Sequence, residues 1–252
     1  MRLYYSSLSQ LNLDPREFLA SREFTVLWSG GKDSTATLLW VLDNVSHDNW
    51  DILYIEVTGN THPLCTQYVI DTAKQLGVYN KLKIAKREDL DFFEAMKRWG
   101  VPLIWRDRFC FHKFKEPLII RYAKQIQVLG VKRSDSWRRK YVAFVDYLIT
   151  TKQISVNPIA DWSSSQVSKY LKSHGVDVNP CYNIYGHSGN CMFCIYHRKD
   201  QIARTLQDPY WRAKILDALS YVGRGKISAQ VRDKWLRLSK NIALTSFIEV
   251  KA

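Results

Sequence analysis

The sequence predicts an α/β protein in which helices and a parallel sheet form three layers, with a basic helical extension toward the C-terminus. The prediction rests on the alternation of two kinds of segment and on the apolar content of the chain. Short apolar runs rich in β-branched and aromatic residues alternate with longer segments whose apolar residues recur at helical spacing. Parallel strands need helical crossovers, so this alternation favours a parallel sheet. The 252 residues are 46% apolar, which is enough for a sizeable core.

The first half of the chain supplies three strands, each followed by a helix. A short helix around "DPREFLA" precedes the strand "FTVLW", and a helix from Ser34 to Val45 follows that strand. The strand "DILYIEV" leads to a helix from Pro63 to Leu76, and "KLKIA" leads to the helix "DLDFFEAMKRW". The carboxyl ends of these strands are expected at one edge of the sheet, where such folds bind ligands.

The second half continues this pattern and then changes. The helix "KEPLIIRYAKQI" precedes the strand "QVLGV", and "ISVNPIADW" gives a last strand and its exit loop before the helix "SSSQVSKYLKSHG". We predict a lead-in over residues 1–22 and a main domain over residues 23–195, which contains the cysteines. Residues 196–252 are predicted as a helical extension, interrupted at "YVGRGKIS".

The composition narrows the class of partner. The formal net charge is +13, which suits polyanions such as nucleotides, tRNA or another nucleic acid. No apolar run has the length of a transmembrane helix, and "MRLYYSSLSQ" lacks the apolar core of a signal peptide. We therefore expect a soluble, cytoplasmic protein with no membrane partner.

The stretch "WSGGKDS" has the features of a phosphate-binding loop. Two glycines allow a sharp turn between the first strand and its helix, and the helix N-terminus offers unpaired N–H groups with partial positive charge. Lys32 adds a full charge, and Asp33 or Ser34 can cap the helix. The stretch does not match the ordinary P-loop, whose glycines are spaced differently. A charged, glycine-rich surface turn is the alternative.

The cysteines form a second constellation. Cys191 and Cys194 make a C-x-x-C, a spacing that lets two thiolates bind one metal ion or cluster. With Cys110 and Cys181, four sulfurs could hold a [4Fe–4S] cluster or a zinc ion. An odd total of five cysteines in an apparently cytosolic chain argues against a disulfide framework. A dithiol redox pair and simple burial remain open as alternatives.

Four segments together resemble the phosphoadenosine phosphosulfate (PAPS) reductase family of the PP-loop superfamily, also called the adenine nucleotide alpha-hydrolase or ATP pyrophosphatase superfamily. The segments are "SGGKDS", "TGNTHPLCTQYV", "GVKRSDSWRR" and "NPIADWSSSQVSKYL" with the following "NPCYNIYGHSGNCMFC". The resemblance covers roughly residues 22 to 200. It implies a HUP or Rossmann-like fold that binds an adenine nucleotide, either ATP or an activated sulfate such as PAPS or adenylyl sulfate.

The resemblance also implies site residues. The residues expected at the nucleotide are Ser29, Gly30, Gly31, Lys32, Asp33, Ser34, Thr58, Gly59, Lys132, Arg133, Ser136 and Arg139. Cys110, Cys191 and Cys194 fall on three of the positions at which related adenylyl-sulfate reductases bind a [4Fe–4S] cluster. The second member of that family's early cysteine pair is Phe111 here, and Cys181 is expected to replace it. Zinc is the alternative occupant.

Two departures from the reductases leave the chemistry open. Those enzymes use a cysteine in a C-terminal tail as nucleophile, but this chain has no cysteine after Cys194, so Cys65 is the candidate substitute. The lysine in "SGGKDS" is typical of superfamily members that cleave ATP between the α and β phosphates, for which Lys32, Asp33 and Mg²⁺ would be the catalytic groups. A buried helix cysteine and a simple helix cap are the plainer interpretations of Cys65 and Asp33.

Three functions follow as hypotheses. The first is an oxidoreductase of sulfur metabolism that reduces PAPS or adenylyl sulfate to sulfite with a thiol or an electron-donor protein. The second is a transferase that adenylates a substrate with ATP and then transfers sulfur to tRNA or another nucleic acid. The third is a zinc-stabilised nucleotide-binding module without catalysis. The acceptor, the electron or sulfur donor and homodimerisation are left open by the sequence.

Overall fold

A computed structural model describes residues 13–103, 108–148, 151–222 and 226–249. The chain divides into two compact units, each assembled from separate segments. The first unit comprises Met1–Ile55, Gln67–Ala85 and Leu118–Asn179, and the second comprises Glu56–Thr66, Lys86–Pro117 and Pro180–Ala252. The predicted domain boundaries stay a prediction.

The first unit carries a six-stranded sheet in the order β3-β2-β1-β4-β6-β5. The strands are β1 (Phe24–Leu27), β2 (Trp50–Glu56), β3 (Leu82–Lys86), β4 (Ile126–Val128), β5 (Val145–Leu148) and β6 (Gln153–Val156). β1 pairs in parallel with β2 and β4, and β4 pairs in parallel with β6. The predicted sheet with flanking helices is therefore confirmed, and it is mostly parallel.

Strand β5, which pairs antiparallel with β6 at the sheet edge, is not among the strands predicted from the sequence. Lys152, just before β6, has a left-handed φ of 54°, a conformation seldom adopted by residues other than glycine. Residues 140–150 contain neither the glycine of a tight hairpin nor a regular apolar alternation, so the sequence carries no hairpin signal there.

The helices fall close to the predicted segments, except for one short helix at Cys181–Tyr185 that the sequence does not predict. They are α1 (Pro15–Leu19), α2 (Lys32–Asn44), α3 (Pro63–Gln75), α4 (Phe92–Trp99), α5 (Glu116–Tyr122), α6 (Ser164–Ser173), α7 (Cys181–Tyr185), α8 (Lys199–Gln207), α9 (Pro209–Ser220) and α10 (Lys226–Glu249). A π-helical turn, Cys110–Lys115, precedes α5, so the helical segment here begins earlier than the predicted helix "KEPLIIRYAKQI" and includes Cys110. The expected helical extension is present as α8 to α10. Within the described ranges, no helix is both long and apolar enough to cross a bilayer.

The core of the first unit fixes α2 in place. Ala36 and Leu39 of α2 pack with Val167 and Leu171 of α6, and Ile159 completes the cluster. α6 begins at a capping box, in which Ser163 Oγ accepts from the Gln166 amide at 3.2 Å and Gln166 Oε1 accepts from the Ser163 amide at 2.8 Å. The position of α2 matters because its first turn follows the glycine loop.

Candidate functional site

The glycine loop connects β1 to α2 through a left-handed residue. Gly30 has φ 70°, which a side chain would disfavour, and Gly31 is the N-cap of α2. The expectation that Asp33 or Ser34 caps the helix is wrong, since α2 already begins at Lys32 and both residues lie in its first turn. Gly31 has no side chain to cover the N–H groups of that turn, so they can bind an anion.

The loop is held in shape by its own hydroxyl groups. Ser34 Oγ donates to the Gly31 carbonyl at 3.0 Å and accepts from the Ser29 amide at 3.1 Å. The Gly31 carbonyl also accepts from Thr35 Oγ1 at 2.9 Å, and Asn179 Nδ2 donates to the Gly30 carbonyl at 3.1 Å. These bonds occupy the loop carbonyls, which would otherwise repel a phosphate.

Gly130, just after β4, lies directly against the start of α2. A Cβ atom at this position would lie 2.7 Å from Asp33 C, 2.7 Å from Ser34 N and 2.8 Å from Ser34 Cα. These distances are shorter than an ordinary carbon contact, so only glycine fits without displacing the helix backbone. The segment that follows β4 and the phosphate-binding loop thus meet at one place within the first unit.

Lys132 links these two segments through buried ion pairs. Its side chain is 2% exposed, and Nζ lies 2.6 Å from Asp33 Oδ1 and 2.8 Å from Asp135 Oδ1. Burial acts to lower the pKa of Lys132, but hydrogen bonds to Asp135 and Asp33 raise that pKa above its ordinary value. Lys132 therefore positions Asp33, whose side chain remains 37% exposed.

The other predicted site residues of "GVKRSDSWRR" are more exposed to solvent than Lys132. Arg139 is 46% exposed and its Nη1 lies 2.7 Å from Asp135 Oδ2, while Ser136 is exposed. Arg133 pairs with Asp161 and donates from Nε to the Val142 carbonyl at 2.8 Å. The pKa of Asp135 is held low, because Lys132 and Arg139 outweigh the effect of its burial.

In the second unit, Thr58 and Gly59 make contacts that anchor α4. Thr58 Oγ1 donates to the Arg87 carbonyl, and the Thr58 carbonyl accepts from the Phe92 amide at 2.8 Å. Gly59 has φ 82°, and a Cβ there would lie 2.0 Å from an oxygen of Asp91, the N-cap of α4. Their role at the nucleotide stays a prediction.

The segment from Asn60 to His62 holds the loop that contains the C-x-x-C. Asn60 is fully buried, with Oδ1 2.7 Å from the Phe193 amide and Nδ2 3.1 Å from the Phe193 carbonyl. The Asn60 carbonyl accepts from the Met192 amide at 2.7 Å, and the His62 amide donates to the Gly189 carbonyl at 2.8 Å. This loop is therefore fixed by main-chain bonds on both sides.

Three of the predicted metal ligands lie close together, since Cys191 is near enough to affect the pKa of both Cys110 and Cys194. Burial, and then the neighbouring Cys191 thiol, raise the pKa of Cys194 and of Cys110. Lys115 and Arg108 oppose this effect on Cys110, because a positive charge favours the thiolate. Lys115 Nζ also donates to Asn190 Oδ1 at 2.9 Å, next to Cys191.

Cys181 has a different thiol neighbour, the fully buried Cys65. Burial, followed by Cys65, raises the pKa of Cys181 to about 12. Gly189, with φ 74°, approaches this thiol so closely that a Cβ would lie 2.7 Å from Cys181 Sγ. Burial also argues against Cys65 as a nucleophile, since an attacking thiolate needs solvent or substrate access.

Over the described residues, no three or more histidine, cysteine or acidic side chains are arranged to hold a metal ion. The donor chemistry of Cys110, Cys191 and Cys194, with two cations beside Cys110, nevertheless suits a thiolate-bound metal or cluster. The ligand set of Cys110, Cys181, Cys191 and Cys194 stays a prediction.

Sequence reasoning missed three residues that shape these sites. They are Gly130, Asn60 and Gly189. All three stand inside the four segments that resemble the family, but none carries a charge or a thiol that would indicate a role at the site. A glycine or amide with a contact across the fold gives no signal in one sequence, since the contact depends on residues far along the chain.

The fold and the loop define the class: a mostly parallel α/β protein with a glycine-rich loop at the start of the helix after its first strand. The family follows from comparison with known proteins. Residues 23–194 match the phosphoadenosine phosphosulfate reductase domain. The chain therefore belongs to the PAPS reductase family of the PP-loop superfamily, which confirms the resemblance seen in its motifs.

Individual relatives are distant. An uncharacterized protein of Methanocaldococcus jannaschii is 28% identical over 179 residues, covering 67% of this chain and 35% of that protein. The adenosine 5′-phosphosulfate reductase of Rhizobium tropici is 37% identical over 57 residues, 23% of this chain and 32% of that enzyme. The chain thus spans well under two thirds of these curated relatives.

A solved structure agrees in fold. PAPS reductase from Candida auris, crystallised as a phosphate complex, superimposes with a TM-score of 0.50 at 20% identity. The match covers 73% of this chain and 93% of that structure.

Proposed function

We propose that this chain is an enzyme of sulfur metabolism that binds an adenine nucleotide at the Ser29–Ser34 loop and reduces an activated sulfate, PAPS or adenylyl sulfate. The single observation that carries the proposal is the start of α2, where Gly31 caps the helix without a side chain and Lys32 follows at once. Membership of the PAPS reductase family supports the choice of substrate.

The residues of the first unit have distinct tasks in this proposal. The amides at the start of α2 and Lys32 bind the phosphates of the nucleotide. Arg139 binds the sulfate or the far phosphate, since its exposed guanidinium can donate two parallel hydrogen bonds. Lys132 is a positioning residue, which holds Asp33 and Asp135 at the loop.

The reductant is proposed to be a thiol from outside the chain, because Cys65 is fully buried. A thiolate of a donor protein attacks the sulfate sulfur, the bond from sulfur to the phosphate oxygen breaks, and the nucleotide leaves as AMP or adenosine 3′,5′-bisphosphate. A second thiol then displaces sulfite and leaves a disulfide on the donor. Two electrons pass from the two thiols to sulfur, so the step balances.

Adenylation followed by sulfur transfer to tRNA or another nucleic acid is the second candidate, and Lys32 favours it. A lysine at the first position of α2 would stabilise pyrophosphate as it leaves from ATP. Mg²⁺ would then share the charge, with the partly exposed Asp33 as a candidate ligand.

A substrate panel with two products measured separates the candidates. The protein is incubated with PAPS, adenylyl sulfate or ATP together with a dithiol donor, and sulfite and pyrophosphate are both quantified. Sulfite from an activated sulfate supports reduction, whereas pyrophosphate from ATP supports adenylation. Lys32→Ala should abolish either product, while Lys172→Ala, in the last turn of α6, should not. If neither sulfite nor pyrophosphate forms with any of the three substrates, both candidate functions are overturned.

We further propose that Cys110, Cys191 and Cys194 hold a [4Fe–4S] cluster, with Cys181 as the fourth ligand and zinc as the alternative occupant. A cluster would supply one-electron redox chemistry when bound, whereas zinc would only cross-link the loop. Asn60 and Lys115 hold the C-x-x-C loop and Asn190 in place.

Anaerobic purification with iron, sulfide and zinc analysis tests the cluster. Cys191→Ser should lose the iron, and Cys65→Ser should keep it. Cys181→Ser decides the fourth ligand, since loss of iron assigns Cys181 to the cluster and full retention excludes it. Stoichiometric zinc without iron in the anaerobic protein would replace the cluster proposal with the zinc alternative.

A further inference from the structure

A short segment of the first unit exposes two aromatic rings beside three positive charges. The Trp137–Tyr141 ridge, as we call residues 137–141, reads "WRRKY", and no acidic residue occurs from position 136 to 145. Trp137 is 76% exposed and Tyr141 is 61% exposed. A tryptophan that leaves three quarters of its surface in water is unusual, because its burial would contribute more than that of nearly any other side chain.

Cations lie over both rings of the ridge. The Arg138 guanidinium carbon is 5.3 Å from the centre of the Trp137 ring, and Lys140 Nζ is 5.6 Å from the centre of the Tyr141 ring. Each pair presents a flat apolar surface next to a positive charge. The same pairing, a π-face beside a cation, is what a nucleotide of a single strand needs for its base and its phosphate.

The ridge is anchored at its base. Arg139 pairs with Asp135 at 2.7 Å, and Asp135 pairs with the buried Lys132 at 2.8 Å. The Val142 amide donates to the Arg139 carbonyl at 2.9 Å. The ridge is therefore preorganised, which lowers the entropic cost of binding a ligand on it.

From these observations we infer that the Trp137–Tyr141 ridge binds single-stranded nucleic acid, with bases stacked on Trp137 and Tyr141 and phosphates beside Arg138 and Lys140. A protein partner could also use exposed aromatic residues. The lack of acidic side chains along the ridge and the net charge of +13 favour a polyanion. A duplex is disfavoured, because paired bases are stacked on one another and cannot lie on a side chain.

This inference does not depend on which reaction occurs at the glycine loop. It names a surface for nucleic acid, and binding is measured without ATP or activated sulfate. If the protein forms neither product in the substrate panel, the binding measurement is unaffected. If the protein binds no single strand, the proposed reduction of activated sulfate is unaffected.

Fluorescence anisotropy with a labelled 15-nucleotide single-stranded RNA of mixed sequence tests the inference. The wild-type protein should bind this strand more tightly than a duplex of the same sequence. Trp137→Ala should raise Kd roughly five- to 150-fold, the range seen when base-stacking aromatics are removed. Trp137→Phe should keep most of the affinity, since it keeps an aromatic face.

Matched variants separate stacking from charge. Tyr79 is 50% exposed and carries Lys74 at 5.4 Å from its ring centre, so it reproduces the Tyr141–Lys140 pair elsewhere in the first unit. Tyr141→Ala should weaken binding and Tyr79→Ala should not. Lys140→Gln should reduce the slope of log K against log salt by about 0.7, the value per phosphate contact on single strands.

Three results would overturn the inference. These are an absence of single-strand binding at low salt, equal affinity for the duplex, and a Trp137→Ala variant that folds normally but binds as well as wild type. The first of these would favour the alternative, a protein partner at the two exposed rings.

Discussion

Substituting Gly130 by alanine should damage the phosphate-binding loop without introducing charge or removing any hydrogen bond. The added Cβ would lie 2.7 Å from two backbone atoms of the first turn of α2. Carbon contacts are normally 3.5–4.0 Å, so the helix start must move by about 1 Å. The φ angle of Gly130 is not in the left-handed region, so the close contact is the whole cause of the effect.

The magnitude follows from this displacement. Overpacking of a tight site costs about 1–3 kcal/mol, which corresponds to a fall in Tm of roughly 2–12 °C for a chain of this size. A shift of about 1 Å also lengthens hydrogen bonds from the amides to a phosphate. Loss of one such bond to a charged group, worth about 1.5–3 kcal/mol, weakens nucleotide affinity at least tenfold.

Thermal unfolding and isothermal titration with ATP and PAPS measure the two effects of Gly130→Ala. Gly77→Ala is the control, because Gly77 has φ 70° and nothing within 4 Å of its Cβ position. That control should lower Tm through backbone strain alone and leave nucleotide affinity unchanged. If Gly130→Ala binds both nucleotides like wild type, the loop next to Gly130 does not hold the phosphates.

Three further predictions concern single side chains. Lys132→Met should cost about 1–3 kcal/mol at pH 7, discounted because Asp33 and Asp135 are 37% and 25% exposed. The folded-state pKa of Asp135 is lowered and that of Lys132 is raised, so the ion pairs stabilise the fold less as Asp135 becomes protonated. The loss of unfolding free energy in Lys132→Met, measured by urea unfolding, should therefore shrink as pH falls below about 4. An equal loss at pH 7 and pH 3 would contradict the ion pairs. Asn60→Ala should destabilise the second unit by about 2–4 kcal/mol in urea unfolding, because it removes the partner of the Phe193 amide and carbonyl. A variant as stable as wild type would refute the structural role of Asn60. Arg139→Ala should raise the apparent KM for activated sulfate about tenfold with a smaller effect on kcat, and an unchanged KM would remove it from the site.

The local sequence was informative where one segment determines its own structure. The alternation of strands and helices predicted the parallel sheet, because each apolar run must be buried by its neighbours. The turn from β1 into α2 was equally readable, since its glycines, its lysine and the helix start lie within seven residues. Motifs of this kind carry their geometry in the chain itself.

The features that escaped prediction depend on contacts between distant residues. The antiparallel strand β5 is fixed by its pairing with β6, and the sequence between the two strands contains no glycine. The neighbour of Cys181 is Cys65, more than a hundred positions earlier in the chain, which no spacing rule indicates. The burial of Lys132 likewise requires two carboxylates to face it, one of which lies on α2. Sequence patterns identified these residues as chemical groups but not their partners.

The central claim is that the start of α2 binds the phosphates of an adenine nucleotide. A crystal structure of the protein with adenylyl sulfate or a non-hydrolysable ATP analogue tests it most directly. We predict a phosphate oxygen within about 3 Å of the main-chain amides of the Ser29–Ser34 loop, with the Lys32 ammonium beside it. A nucleotide bound elsewhere on the chain, with its phosphates away from this loop, would contradict the account.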